Sequence, residues 1–113
     1  MPQALAKTDI RELRSWYGLS QADFARAVGV SERAVIRWEQ GQVTPMPLAQ
    51  RTLELLDDLR TRLRKRYGDG GAKEWLRRSN TALRRSTPLE ILLTSGPTRV
   101  RDLVMGPETG TYR

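Results

Sequence analysis

Residues 19–41 read LSQADFARAVGVSERAVIRWEQG, a stretch that contains two short helical patterns joined by a tight turn. Ser20 is well placed to cap the first helix with its hydroxyl group. The apolar side chains of that helix recur at helical spacing and require burial: Phe24, Ala25 and Val28. Gly29 can adopt the left-handed conformation that ends this helix, and Ser31 can cap the next one. The stretch therefore predicts a helix-turn-helix.

The second helix of this stretch has an apolar side and a charged side. Val35 and Trp38 fall on the inward side. The outward side carries Glu32, Arg33 and Arg37. Two arginines one turn apart, on a surface helix braced by another helix, suit contacts with base edges in the DNA major groove. The alternative is a helical hairpin of an ordinary all-α protein, which shows the same caps, glycine turn and apolar stripe.

Six residues are the predicted DNA contacts of this segment. Arg33 and Arg37 are expected to donate to guanine O6 and N7. Glu32 can accept from cytosine N4, or it can simply stabilise the helix N-terminus. Gln21, at the start of the supporting helix, is expected to bond a phosphate or a neighbouring base. The expected backbone-positioning groups are Ser31 and Gln42.

The composition limits the classes of function. The chain has 113 residues, room for one compact domain or for one small domain with an appendage. It contains no cysteine and no histidine, which excludes disulfides and removes the commonest catalytic base and metal ligand. It has no phosphate-binding glycine loop, and no apolar run approaches the roughly 20 residues that span a bilayer. We therefore expect a cytoplasmic protein that is not an enzyme and needs no metal or cofactor.

The net charge of +7 and the pI near 10.8 suggest a polyanionic partner. The charge is unevenly distributed along the chain. Residues 1–58 carry seven basic and eight acidic side chains, a net charge of −1, whereas residues 59–113 carry 13 basic and five acidic ones, a net charge of +8. The C-terminal half therefore either adds phosphate contacts to the helix-turn-helix or meets an acidic partner, unless its charges are only solvated helix faces.

A long helical pattern follows the helix-turn-helix, from Pro47 to Tyr67. Its apolar stripe consists of Leu48, Leu55, Leu56, Leu59, Leu63 and Tyr67. This stripe is expected to pack either against the rest of the chain or against a second copy, in a dimer that contacts two DNA half-sites. The next residues, Gly68-Asp69-Gly70-Gly71, are predicted to break the helix and to form a linker at residues 68–71.

The last part of the chain predicts a small α-helical module over residues 72–106. It opens with a short helix, residues 72–78, that places Trp75 and Leu76 inward. About 35 residues are too few for a stable core of their own. We therefore expect this module to pack on the long helix.

Two further helices are expected within this module. Thr87-Pro88-Leu89-Glu90 is a helix start signal, with a capping threonine, a proline at the first helical position and a glutamate that completes a capping box. The last helix is expected over residues 98–105, with Gly106 as its end. Residues 107–113 then form a tail.

The segment from about Ile10 to Pro45 resembles the Xre/Cro/C1-type helix-turn-helix family. The shared residues are Leu19-Ser20-Gln21, Phe24-Ala25, Gly29-Val30-Ser31 and Arg37-Trp38-Glu39-Gln40-Gly41. The resemblance implies a DNA-binding bundle whose first helix covers residues 9–17. The expected fold class is thus all-α: an Xre/Cro-like helix-turn-helix bundle with a long connecting helix and a small C-terminal α-helical module.

Residues 72–106 are similar to the C-terminal toxin-binding domain of MbcA/ParS/Xre antitoxins. The shared positions are Trp75-Leu76, Asn80, Leu83, Pro88-Leu89-Glu90, Leu92-Leu93, Val100, Leu103 and Gly106. The order of the two resembling segments, which together cover residues 8–106, is the order found in such antitoxins. One departure is Arg84-Arg85, which stands where a glycine pair is common in that family.

The second resemblance implies an antitoxin whose partner is a RES-domain toxin, an enzyme that acts on NAD. Such an antitoxin occludes the toxin's active site with its C-terminal module and tail, and it represses its own operon through the helix-turn-helix. The residues implied in toxin binding are Trp75, Arg84, Arg85, Leu103, Tyr112 and Arg113. In the tail, Tyr112 and Arg113 suit a pocket built for an aromatic, anionic dinucleotide, although a terminal segment can also fray in solvent.

The expected organisation is a DNA-binding domain at residues 8–67, a linker at 68–71, a toxin-binding module at 72–106 and a tail at 107–113. The expected partners are operator DNA, the toxin and a second copy of the chain, with no membrane. The alternative function is a stand-alone Xre-type transcriptional regulator whose C-terminal module only dimerises or senses a signal.

Overall fold

The computed structural model describes the backbone of residues 7–109 and the side chains of residues 9–105. The regular elements of this part of the chain are all helical. They are α1 (Lys7–Tyr17), α2 (Gln21–Val28), α3 (Glu32–Glu39), α4 (Pro47–Leu76), a 3₁₀ turn (Thr81–Leu83), α5 (Pro88–Ser95) and α6 (Pro97–Thr109).

The helix-turn-helix begins and ends where the sequence predicts. The hydroxyl groups of Ser20 and Ser31 each accept a hydrogen bond from the backbone N–H three residues on, at 3.0 and 3.1 Å. Gly29 ends α2 in the left-handed conformation, with φ of +88°. The preceding helix, α1, begins at Lys7, two residues before the predicted start at Asp9.

One apolar core joins the helix-turn-helix to the C-terminal helices. The fully buried leucines of α4 are Leu53, Leu56, Leu59, Leu63 and Leu76. Leu92 of α5 and Val100 of α6 lie in the same cluster as Phe24 of α2. The C-terminal helices therefore pack on α4, as the sequence predicts, and share their core with the first half of the chain.

The two ends of the predicted leucine stripe are exposed. Leu48 is 79% exposed because it lies in the first turn of α4, beyond the reach of the packed helices. Tyr67 is 39% exposed and stacks on Trp75 instead of entering the core. Leu53, which was not part of the predicted stripe, is fully buried. The stripe is therefore shorter than predicted and shifted on the helix.

The predicted linker at residues 68–71 is wrong in its extent. Only Gly68 has non-helical angles, with φ of +76° and ψ of 168°, and α4 continues beyond it. Asp69 holds the kink, because its carboxylate accepts a hydrogen bond from the Trp16 indole N–H at 2.6 Å and forms an ion pair with Lys73. A single residue with positive φ is enough to redirect the helix, so the remaining glycines stay helical.

The predicted capping box at the start of α5 is confirmed. The backbone N–H of Glu90 donates to the Thr87 hydroxyl at 3.0 Å, and the backbone N–H of Thr87 donates to the Glu90 carboxylate at 2.8 Å. Pro88 occupies the first helical position and is buried. The start of α5 is thus determined locally by these residues.

The last helix is longer than predicted. α6 runs through Gly106, which was expected to end it, and includes residues 107–109, which were assigned to the tail. A glycine lowers helix stability by about 1 kcal/mol without forbidding the helix, so it is not a certain end point. The predicted tail contacts Tyr112 and Arg113 lie outside the described residues.

Candidate DNA-binding surface

The outward side of α3 presents three charged side chains to solvent. Glu32, Arg33 and Arg37 are exposed, whereas Val35 and Trp38 are buried in the core. Within the described part of the chain, neither guanidinium group of α3 has a hydrogen-bond or ion-pair partner. Both groups are therefore available to an external base edge or anion, as the sequence predicts.

Ser31 and Gln42 flank this charged side at the two ends of α3, and both are exposed. The hydroxyl oxygen of Ser31 accepts the hydrogen bond that caps the helix, which leaves its O–H free to donate. The backbone N–H of Gln42 donates to the Arg37 carbonyl at 3.0 Å and closes the last turn. These two predicted backbone-positioning residues therefore lie beside the predicted base contacts.

Gln21 contacts a buried carboxylate inside the protein. Its amide donates to Oε1 of Glu39 at 3.0 Å. Glu39 is only 3% exposed, and the Arg14 guanidinium grips both of its carboxylate oxygens, with Nε 2.6 Å from Oε2 and Nη2 3.0 Å from Oε1. Arg11 donates to the Glu39 carbonyl at 3.1 Å. Glu39 thus ties α1 and α2 to the C-terminal end of α3, and a DNA contact of Gln21 stays a prediction.

The Glu39 carboxylate is held in its charged form. Burial alone raises the pKa of Glu39, but hydrogen bonds from Arg14 and Gln21 and the positive charges of Arg14 and Arg11 lower it, and the net pKa lies below the ordinary glutamate value. Because the charged carboxylate is the form that the arginine grips, the brace behind α3 is complete at neutral pH.

This brace was not among the features predicted from the sequence. The signal that could have found it is the position of Glu39 four residues after the buried Val35, which places a charged side chain on the inward side of α3. A charge on an inward side needs a partner of opposite sign. Arg11 and Arg14, three residues apart on α1, supply the positive charges.

An apolar groove of about 510 Å³ lies beside the charged side of α3. Its apolar lining includes Val30, Ala34, Trp38, Val43, Met46 and Leu48, and Arg33 and Arg37 stand at its edge. Val43, Met46 and Leu48 are 44%, 74% and 79% exposed. Contiguous exposed apolar surface of this kind is typical of a protein contact. This groove was not predicted from the sequence, because the spacing of Leu48 placed it in the buried stripe of α4.

The predicted partner contacts of the C-terminal half differ in their environments. Trp75 is half-buried and stacks on Tyr67, with ring centroids 5.8 Å apart and planes inclined by 20°. Leu103 is half-buried against the core. Arg84 and Arg85 are exposed and have positive φ values of 56° and 69°. Two arginines thus occupy backbone angles that glycine adopts more readily.

The described part of the chain lacks two features. Among those side chains, no group of three or more acidic residues could hold a metal ion. None of the helices there is both long and apolar enough to cross a membrane.

Residues 10–55 match a family model described as helix-turn-helix. The matched segment, 46 of the 113 residues, is similar to helix-turn-helix domains. It spans most of α1, the whole of α2 and α3 and the start of α4, so it includes the exposed arginines of α3 and the Arg14–Glu39 brace. The match confirms the predicted all-α, Xre/Cro-like bundle.

Among solved structures, the chain resembles a chain of the crystal structure of the M. tuberculosis MbcT–MbcA toxin–antitoxin complex. The TM-score is 0.62 and the sequence identity 23%, and the match covers 95% of this chain and 96% of that chain. The shared fold therefore extends over the C-terminal helices as well as the helix-turn-helix. No curated protein sequence matches the chain.

Proposed function

We propose that the chain is an antitoxin that binds operator DNA through α3 and neutralises a toxin by direct binding. The observation that carries this proposal is the extent of the match to a chain of a toxin–antitoxin complex, 95% of this chain. A helix-turn-helix alone accounts for residues 10–55, whereas the antitoxin function also accounts for the helices that follow.

For DNA, Arg33 and Arg37 are the proposed base contacts, most simply with guanine O6 and N7. Glu32, in the first turn of α3, is placed to accept from cytosine N4. Ser31 and Gln42 position the helix by contacts to the DNA backbone. The hydrogen bond from Gln21 to Glu39 keeps the two helices in register, so that the α2 N-terminus can approach a phosphate.

The chain is proposed to act as a homodimer. The apolar groove beside α3 and the exposed Val43, Met46 and Leu48 offer a surface for a second copy next to the DNA-binding residues. A two-fold interface at this place would bring two α3 helices to neighbouring half-sites of one duplex.

The proposed partner is a RES-domain toxin that acts on NAD, and the proposed regulation is repression of the shared operon in the bacterial cytoplasm. Trp75 and Leu103, both half-buried, are the proposed toxin contacts among the described side chains. Tyr112 and Arg113 are proposed to enter the toxin's active site, where an aromatic ring and a cation suit a pocket for an anionic dinucleotide.

The DNA-binding proposal is tested by selecting duplexes from a random-sequence library with the full chain. We expect one preferred site, to which Arg37→Ala binds about 10- to 100-fold more weakly without a change in thermal stability. The matched control is Arg78→Ala, which removes an exposed arginine that pairs with Glu74 at 2.9 Å. An Arg37→Ala variant with the parent's sequence preference would contradict the assignment.

The antitoxin proposal is tested by expressing the product of the neighbouring gene with and without the full chain. We expect that product to deplete cellular NAD and stop growth when it is expressed alone, and to do neither when the chain is present. A harmless neighbouring product would contradict the antitoxin role and leave the stand-alone regulator. Truncation at Gly68 is not a suitable control, because the helices beyond it complete the common core.

A further inference from the structure

The segment at residues 80–86, here called the arginine loop, has a backbone that arginine rarely adopts. Arg84 lies in the left-handed region, with φ of 56° and ψ of 40°, and Arg85 follows with φ of 69°. The left-handed region is unfavourable for a residue with a Cβ atom, and such residues concentrate at functional sites. Within residues 7–109, these two are the only residues other than glycine with positive φ.

The rest of the loop imposes this backbone on the two arginines. The backbone N–H of Asn80 donates to the Ser86 carbonyl at 3.0 Å, and that of Arg85 donates to the Asn80 carbonyl at 2.9 Å. The Asn80 side chain accepts from the backbone N–H of Ala82 at 2.9 Å. Leu83, 3% exposed, anchors the loop in the core. Two glycines would satisfy the same hydrogen bonds with less strain.

The arginine side chains do not contribute to the fold either. In the C-terminal half, the arginines paired with carboxylates are Arg60, Arg62, Arg64, Arg78 and Arg101. Arg84 and Arg85 are exposed, and neither has a partner within the described residues. Lys65 and Arg99 also lack partners there, but both lie in helices with ordinary angles. Among the described residues, only Arg84 and Arg85 have both a strained backbone and an unpaired charge, which points to an external anion.

The loop is flanked by contacts that relate it to α2. It begins three residues after Arg77, whose guanidinium donates to the Tyr17 carbonyl at 2.9 Å, just before α2. At the other end of α5, Gly96 lies against α2, where an added Cβ would be 3.8 Å from the Ala27 carbonyl oxygen. These two contacts place the loop toward the beginning of α2 rather than its end. In helix-turn-helix complexes this supporting helix crosses the DNA backbone, and helix N-termini contact phosphates.

We propose that Arg84 and Arg85 bind DNA phosphates beside the groove that α3 occupies. The resemblance to antitoxins implies toxin binding for this pair and the charge distribution leaves DNA open, but a position toward the beginning of α2 favours DNA. The proposal rests on the DNA binding proposed above and identifies where the C-terminal half adds to it. It also explains how the helix-turn-helix can bind a polyanion although residues 1–58 carry a net charge of −1.

The test is the salt dependence of binding to a duplex of about 30 base pairs and mixed sequence, measured between about 50 and 200 mM salt. This probe needs no knowledge of the operator, because phosphate contacts are independent of sequence. The double variant Arg84→Gln with Arg85→Gln should make the slope of log K against log salt less negative by about 1.8, the value for two phosphate contacts. Arg84→Lys with Arg85→Lys should retain the parent slope.

The charge-matched control is Arg64→Gln with Arg78→Gln, which removes two exposed arginines that are already paired with carboxylates. We expect this control to leave the slope close to that of the parent. An equal change in the control would mean that the slope follows total charge, and it would overturn the assignment to the arginine loop. If the glutamine variant of the loop keeps the slope of the parent, the assignment to DNA is overturned as well. If that variant also loses toxin binding, Arg84 and Arg85 contact the toxin instead.

A glycine variant separates binding from folding. Arg84→Gly with Arg85→Gly should change the slope as the glutamine variant does, while it raises Tm by roughly 4–8 °C through relief of backbone strain. A lower Tm would show that the arginines support the fold and would overturn the proposal. If the parent chain binds no duplex at any salt concentration, the proposed DNA binding itself fails, an outcome distinct from an unchanged slope.

Discussion

The arginines of α3 and those of α4 and α6 differ in what their guanidinium groups contact. Arg33 and Arg37 stand in a nearly neutral half of the chain and have no partner within the described residues. In the strongly basic half, Arg62 and Arg101 share the carboxylate of Asp58, at 2.8 and 3.2 Å. The net charge of a segment therefore does not locate a nucleic-acid surface. The unpaired arginines on the exposed side of α3 are what supports the proposed DNA-binding surface.

The two halves also differ in how their ion pairs are buried. In the first half, Arg14 grips a Glu39 carboxylate that is almost fully enclosed, with side-chain exposures of 20% and 2%. In the second half, Arg78 and Glu74 pair in the open, at 69% and 73% exposure. Both pairs have good geometry, at 2.6 and 2.9 Å, so exposure is the main difference between them.

The largest expected effect is the loss of the buried pair. Arg14→Ala should lower the free energy of unfolding by about 3–5 kcal/mol, because the Glu39 carboxylate then stays buried without its main partner. Arg78→Ala, the exposed counterpart, should change it by about 0–1 kcal/mol. Urea titrations of both variants measure the difference. Equal losses of stability in the two variants would show that burial does not determine how much each ion pair stabilises the fold.

The next prediction tests whether the N-terminal and C-terminal halves of the chain unfold as one unit. Leu92→Ala removes a fully buried side chain of α5 and should lower the free energy of unfolding by about 2–5 kcal/mol. Because the core is common, the transitions followed by circular dichroism and by tryptophan fluorescence should still coincide. Leu48→Ala, at an exposed position, is the control and should lie within about 0.5 kcal/mol of the parent. Two separate transitions in the Leu92→Ala variant would contradict a common core.

Much of this fold could be predicted because its helix ends depend on neighbouring residues. Ser20, Ser31 and Thr87 form their capping hydrogen bonds within three residues, and Gly29 supplies its own backbone conformation. The exposed side of α3 follows from the same local periodicity. These features need no knowledge of the tertiary packing.

What could not be predicted depends on contacts between distant segments. Arg14 and Glu39 are 25 residues apart, and their meeting depends on how three helices assemble. Leu48 has the spacing of a buried leucine, but the described helices leave it 79% exposed. The backbone angles of Arg84 follow from a closed loop and an anchor in the core, neither of which is a local signal.

A third effect concerns pH and is expected to be smaller, because the packing stays intact. The pKa of Glu39 in the folded chain lies below its ordinary value. Its charged form therefore adds stability above the unfolded pKa of about 4.3, and this stability is lost as the pH falls through the folded pKa. The free energy of unfolding should decrease as the pH is lowered below about 5.

The Glu39→Gln variant isolates this contribution. It should be less stable than the parent at pH 7 and should lose less stability on acidification, so that the two curves converge at low pH. The variant should still lose some stability on acidification. A hydrogen bond from Arg62 holds the pKa of Asp58 below the ordinary aspartate value, so Asp58 contributes acid sensitivity of its own. Parallel curves for parent and variant would exclude Glu39 as a source of the acid sensitivity.

The smallest effect distinguishes the kink from a flexible linker. Gly68→Ala forces a side chain into a residue with φ of +76° and should lower the free energy of unfolding by about 1–2 kcal/mol. Gly70→Ala, two residues on, places a methyl group where no atom lies within 4 Å and should raise it by about 0.5–1 kcal/mol, the helix advantage of alanine over glycine. Thermal unfolding of the two variants measures both changes. In a flexible linker, both substitutions should change the free energy of unfolding slightly and with the same sign. In a kinked helix, Gly68→Ala should lower the free energy of unfolding and Gly70→Ala should raise it.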